Sequence, residues 1–207
     1  FIKFTVLSLK PLTAVLLRMT IAASCLFVYL KIQKIILPLE KKDIINYFAI
    51  AILGNVLPFV LVTWAEVSIN TNATGIIMGL MPIITVFLAY FFVKEEKINV
   101  YTFIGILLGF GGLFFLLEIV KNGNNNFFFE SAVALAAISF ATATIYTRKI
   151  PNFQPIYILT GSTYFAFLML IPLAFIFEDL LNTSATNQSI IFIIVLGILN
   201  TAIGGLI

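Results

Sequence analysis

The chain has 207 residues, of which 61% are hydrophobic and 10% charged, with a mean hydropathy of +1.13 and a net charge of +3. Soluble domains carry about 25% charged residues, so the composition excludes an ordinary soluble fold and predicts an all-α, polytopic transmembrane helix bundle. The absence of His and the single Cys, Cys25, remove disulfides, zinc sites and His-based catalysis, and the small, dispersed charge does not suit nucleic acid.

The expected surroundings are therefore a lipid bilayer, with no cofactor, no metal and no nucleic acid. Oligomeric state is left open. A bilayer core of about 30 Å needs about 20 apolar helical residues. Residues 1–9 read as the tail of an earlier helix. Six full runs follow, at 11–30, 44–64, 72–93, 98–117, 127–147 and 155–177, and a further one starts near 189. The first residue is not Met and the last run stops within apolar sequence, so the expectation is a piece of a longer chain. The linkers "LEKKD", "KNGNNN" and "NTSATNQ" are short, as in one compact bundle.

Cytoplasmic loops of membrane proteins are enriched in Lys and Arg. Lys31, Lys34, Lys41, Lys42, Lys94, Lys97, Arg148 and Lys149 fall on one side, against Lys3, Lys10 and Lys121 on the other. Eight against three predicts a cytoplasmic "KEEK" (94–97) and an external "KNGNNN".

Arg18 lies inside the first full run, about 10 Å deep at ~1.5 Å per residue. An intramembrane ion costs at least about 2.5 kcal/mol, so Arg18 should face a cavity, a carboxylate or backbone carbonyls, unless it snorkels to the surface. Pro58 and Pro82 interrupt their runs. Each removes a helical hydrogen bond and should free the carbonyl four residues earlier, that of Gly54 and Met78 respectively. In lipid such carbonyls need protein or water, which suggests a polar cavity, although simple kinking is the alternative. Trp64 suits an interfacial belt, and Glu66 beside it is a possible coupling carboxylate or gate. Asn55 and Asn200 are amides that need partners, and Tyr146 and Ser162 are further polar groups within spans. Gly105, Gly109 and Gly112 form a stripe expected to pack closely.

Two landmarks recur. Pro11 and Pro155 each open a run and lie 144 residues apart, so Arg18 stands over Ser162. "ILGNVLPFV" (52–60) resembles "VLGILNTAI" (195–203) at an offset of 143, with Gly54 over Gly197 and Pro58 over Thr201. The shift spans an odd number of helices, five, so the second copy should be inverted in the membrane, as in many secondary transporters.

"PLTAVLLRMTIAA" (11–23), "LGNVLPFVLVTWAE" (53–66), "NATGIIMGLMPIITVFLAYFFVKEE" (72–96), "TFIGILLGFGGLFFLL" (102–117) and "LGILNTAIGGLI" (196–207) occur in order. In these blocks the chain resembles the EamA-type transporters of the drug/metabolite transporter superfamily. The resemblance implies ten helices in two inverted five-helix repeats, of which this chain is a fragment. Residues 1–121 would be the first repeat lacking most of its first helix, and 127–207 the second, truncated within the eighth helix. It implies secondary transport of a small metabolite by alternating access, with efflux of an amino acid or related compound as the family-level expectation, and a bacterial inner (plasma) membrane location. It implies no enzyme activity. An integral-membrane enzyme and a non-transporting scaffold are the alternatives, the first weakened by the missing His. The candidate cavity residues are Arg18, Asn55, Pro58, Trp64, Met78, Pro82, Tyr146, Ser162 and Asn200, with Glu66 as coupling group or gate.

Overall fold

The computed structural model describes residues 2, 5, 9–93, 100–120, 127–151, 154–178 and 186–204; the "KEEK" and "KNGNNN" loops lie outside them. Among the described residues every regular element is a helix. Five helices are long and apolar enough to cross a membrane: α1 (Pro11–Gln33), α2 (Lys41–Ala65), α3 (Thr71–Phe92), α5 (Phe127–Arg148) and α6 (Pro155–Phe177). Between them lies α4 (Val100–Val120), and α7 (Asn187–Val195) follows. The protein is thus a polytopic helical membrane protein.

The helix ends follow local chemistry. Pro11 and Pro155 stand in the first turns of α1 and α6, where the missing N–H costs nothing. α1 stops at Lys34, which takes the left-handed conformation (φ 54°) and donates its N–H to the carbonyls of Leu30 and Lys31. Such a cap closes a helix terminus by satisfying its last carbonyls.

Three interruptions are invisible to hydropathy. α2 contains a π turn at Ala51–Val56, and α7 continues into another at Leu196–Ile203. α3 is two pieces, Thr71–Met78 and Met81–Phe92, separated by a turn at Gly79–Leu80. The continuous run expected at 72–93 is therefore broken. Pro82 does not bend a helix interior: it sits in the first turn of the second piece, where a proline is pre-organised.

α1 and α6 pack antiparallel, the start of α1 meeting the end of α6 through the Leu12 N–H and the Glu178 carboxylate (2.9 Å). Val15, Leu16 and Met19 of α1 bury against Ala166, Leu170 and Ala174 of α6 and Ala51 and Val56 of α2. α5 packs on α2 and both pieces of α3, and buries Ala132, Ala136, Ala137 and Ala141 almost completely. Small residues let membrane helices approach closely, which replaces the hydrophobic drive absent in lipid. The glycine stripe of α4 does not behave this way. A methyl group added at Gly105, Gly111 or Gly112 would meet nothing within 4 Å, and at Gly109 it would touch only Ile83, at 3.6 Å. The expected close-packing face is open in this chain, because α4 lies at the margin of the bundle.

Candidate functional site: a buried arginine between two pi turns

Arg18 is 4% exposed. Its Nε–H donates to Thr201 Oγ1 at 2.9 Å, and its guanidinium carbon lies 4.0 Å from the centre of the Phe59 ring. It is therefore turned into the bundle, not toward the headgroups. A hydroxyl and an aromatic face both suit a guanidinium, which is planar and weakly hydrated. Thr5, Ala14, Thr63, Ile193 and Leu196 line a narrow crevice beside it.

Both partners are presented by the π turns. Phe59 follows the turn of α2 by three residues, and Thr201 lies inside the turn after α7. Thr201 also donates to the Leu196 carbonyl, five residues back, at 3.2 Å. Gly197 makes the second approach possible. A methyl group there would lie 2.9 Å from Ile21 Cβ and 3.0 Å from the Arg18 carbonyl oxygen. Gly54 in the first turn faces Ala143, where an added methyl would lie 3.3 Å from Cβ. The first π turn packs on α6 and the second on α1.

Pro58 is fully buried, in the first turn after the π segment. The freed carbonyl, however, is not that of Gly54. Leu57 donates its N–H to Ile52, five residues back, because the turn is π-helical. In that register the donor missing at Pro58 leaves the Leu53 carbonyl open, and Ser139 Oγ of α5 donates to it at 2.7 Å. A neighbouring helix, not a hydrated space, satisfies the proline's orphan. Ser139→Ala should therefore cost about 1–3 kcal/mol by leaving a buried acceptor unmade, read as a lower midpoint of thermal unfolding in detergent. Pro58→Ala supplies an N–H to the helix, so in that background Ser139→Ala should cost markedly less. Equal costs in both backgrounds would show that Ser139 and Pro58 are uncoupled.

The other candidates are dispersed. Asn55 is half-buried within the first π turn. Ser162, 3% exposed, donates to its own helix at the Leu159 carbonyl (3.2 Å). Trp64 packs edge-on to Phe128 and tilted on Phe129, 5.4 and 4.7 Å between centroids. Met78 packs against the cluster of Ala65, Ile69, Ile77 and Val133. Pro82 is exposed. Glu66 caps the end of α2 and is 3% exposed. The side chain of Asn200 lies outside the described residues. Tyr146 donates to Asn46 Oδ1 at 2.9 Å.

Asn46 of that last pair lines a cavity of about 660 Å³. Pro38, Glu40, Asp43, Asn46 and Tyr47 line it from the α1–α2 corner, and Ile150, Gln154, Tyr157 and Ile158 from the α5–α6 corner. Sequence reasoning does not single out Phe59, Ser139 or this cavity. Thr201 stands out there through its place over Pro58 and as one of several polar groups within spans.

Comparison with known proteins agrees with this architecture. A solved crystal structure superposes with a TM-score of 0.77 at 15% identity, covering 99% of this chain and 70% of the other, which shows the shared fold. A Bacillus subtilis protein, the uncharacterized transporter YoaV, is 26% identical over 196 residues, 93% of this chain and 67% of that protein. An uncharacterized transporter of Archaeoglobus fulgidus is 26% identical over 207 residues, 98% of this chain and 71% of its own length. The model of the EamA-like transporter family matches residues 1–118, more than half of the 207. The chain belongs to the EamA-like transporter family.

Proposed function

We propose that this membrane transporter moves a small metabolite by alternating access, as a secondary transporter, with efflux of an amino acid or related compound as the working direction and substrate class. The observation that carries the reading is the cavity between the α1–α2 and α5–α6 corners. Its volume of about 660 Å³ lies in the range of small-molecule sites. Its walls mix acids, the base Lys42, amides and tyrosine rings, contributed by both halves of the sequence. The relatives' names, uncharacterized transporters, support the general activity.

The proposed machinery is a pair of inverted repeats, residues 1–121 and 127–207. Three observations support it. α1 and α6 are antiparallel and each open on a proline, at Pro11 and Pro155. Each half carries a π turn around the matched Gly54 or Gly197. Each π turn packs on the long helix of the opposite half, as exchange about a pseudo-twofold axis requires. The proposed setting is a bacterial inner (plasma) membrane, with the cavity mouth on the cytoplasmic side.

A metabolite-uptake screen of the full-length protein in sealed vesicles tests the function; no uptake above protein-free vesicles for any metabolite class would reject it. Orientation has its own test. A reporter fused after Lys97 should be cytoplasmic and one within 121–126 external. Finding both on one side would overturn the sidedness.

A further inference from the structure

The geometry points to Glu178 as a gate latch: its carboxylate ties α1 to α6 at the end of the bundle opposite the cavity, and it must let go when access switches sides. The inference rests on the transporter reading and adds to it a residue, a place and a conformational state.

The first turn of a helix leaves N–H groups without partners, and a side chain at the N-cap usually accepts from them. α1 has Lys10 at its N-cap, which provides no side-chain cap. The cap comes instead from the far half of the sequence. Glu178 Oε1 accepts from the Leu12 N–H at 2.9 Å. Glu178 Oε2 accepts from the Thr13 N–H at 2.8 Å and from Thr13 Oγ1 at 2.7 Å. Three charge-assisted contacts thus join segments more than 160 residues apart in the chain.

Electrostatics makes the contact conditional. Glu178 is the residue at the C-terminal cap of α6. The negative end of a helix dipole disfavours a carboxylate there, whereas the positive end of α1 favours it. Glu178 is badly placed for its own helix and well placed only while α1 stands alongside. Separation strands the carboxylate and uncaps α1 at the same moment. That is the behaviour of a two-position contact, not of a passive local cap.

The other end of the same helix pair is different. There α1 closes on its own backbone at Lys34, and Gln154 before α6 makes no side-chain cap. No cap runs from one helix to the other at that end among the described residues, and the cavity of about 660 Å³ opens beside Gln154 and Tyr157. The pair is tied at one end and open at the other. This conformation is therefore the one in which the cavity mouth is accessible and the Glu178 end is shut.

The test uses the intact protein in sealed vesicles, with Cys25→Ser as background and a membrane-impermeant maleimide applied to either side. One reporter is Val15→Cys, 2% exposed just behind the latch. The other is Gln154→Cys, at the cavity mouth. In Glu178→Gln, which keeps the shape but loses the charge, Val15→Cys labelling from the latch side should rise at least about fivefold, the scale of a lost charge-assisted contact. Gln154→Cys labelling should fall. Thr13→Val removes one of the three contacts and should give an intermediate rise, and it keeps the test alive should Glu178→Gln not fold. A purely structural cap would lower thermal stability with the ratio of the two labelling rates unchanged, and that result in either variant overturns the latch. Failure of the transporter reading looks different: the unmodified protein would take up no metabolite in the vesicle screen, whatever the labelling.

Discussion

Gly161→Ala is expected to lower the midpoint of thermal unfolding in detergent by about 2–12 °C, since overpacking a well-filled site costs about 1–3 kcal/mol. A methyl group at Gly161 would lie well inside van der Waals contact of three atoms of the Tyr47 ring. Those atoms are the near edge of the ring, not the end of a flexible chain, so the ring must move as a body. It has little freedom to do so. Tyr47 is 1% exposed, packs near Phe165 with 6.5 Å between centroids, and donates its hydroxyl to the Pro38 carbonyl at 3.2 Å. The contact joins α2 to α6 beside the cavity, so the displacement should also reshape the cavity wall. Tyr47→Ala removes the obstacle. In that background Gly161→Ala should cost almost nothing, while each single change remains destabilising. If Gly161→Ala is as harmful in the Tyr47→Ala background as it is with the tyrosine in place, the close approach is not what the glycine serves.

The helices were legible in the sequence because the bilayer imposes a length. Runs such as 127–147 and 155–177 need only composition and spacing, and they match α5 and α6 within a residue or two. What hydropathy could not show is how the backbone runs inside an apolar segment. The turn at Gly79–Leu80 and the π turns at 51–56 and 196–203 are as apolar as their surroundings. That is why the sequence points to a carbonyl one residue too far along: an α register leads to Gly54, and the i to i−5 register of the π turn leads to Leu53. Partners across the bundle were equally hidden. Burial of Arg18 could be anticipated from its depth, but Phe59 and Thr201 are ordinary residues until the fold sets them beside it. Glu178 reads as the first polar residue after a span, and its meaning depends on an N-terminus 165 residues away.

Arg18→Ala in the full-length protein should reduce vesicle uptake by at least about tenfold, the equivalent of ~1.4 kcal/mol, with membrane insertion intact. The magnitude follows from what is lost: a hydrogen bond to a charged group contributes about 1.5–3 kcal/mol and a desolvated cation–π contact about 2 kcal/mol. Arg18→Lys should not restore uptake, because an ammonium cannot donate in the plane of a guanidinium while stacking on Phe59. Lys97→Ala, a loop charge, should leave uptake nearly unchanged. A second comparison separates anchoring from transport. Thr201→Val leaves the arginine buried without its hydroxyl partner and should be destabilising, since an uncompensated buried charge is worse than no charge. Arg18→Met with Thr201→Val removes both and should recover much of the lost stability. If Arg18 served only to hold the two π turns together, that double variant would recover uptake along with stability. If Arg18 acts in the transport cycle, it becomes a stable protein that does not transport. Normal uptake in a well-inserted Arg18→Ala protein would remove Arg18 from the mechanism altogether.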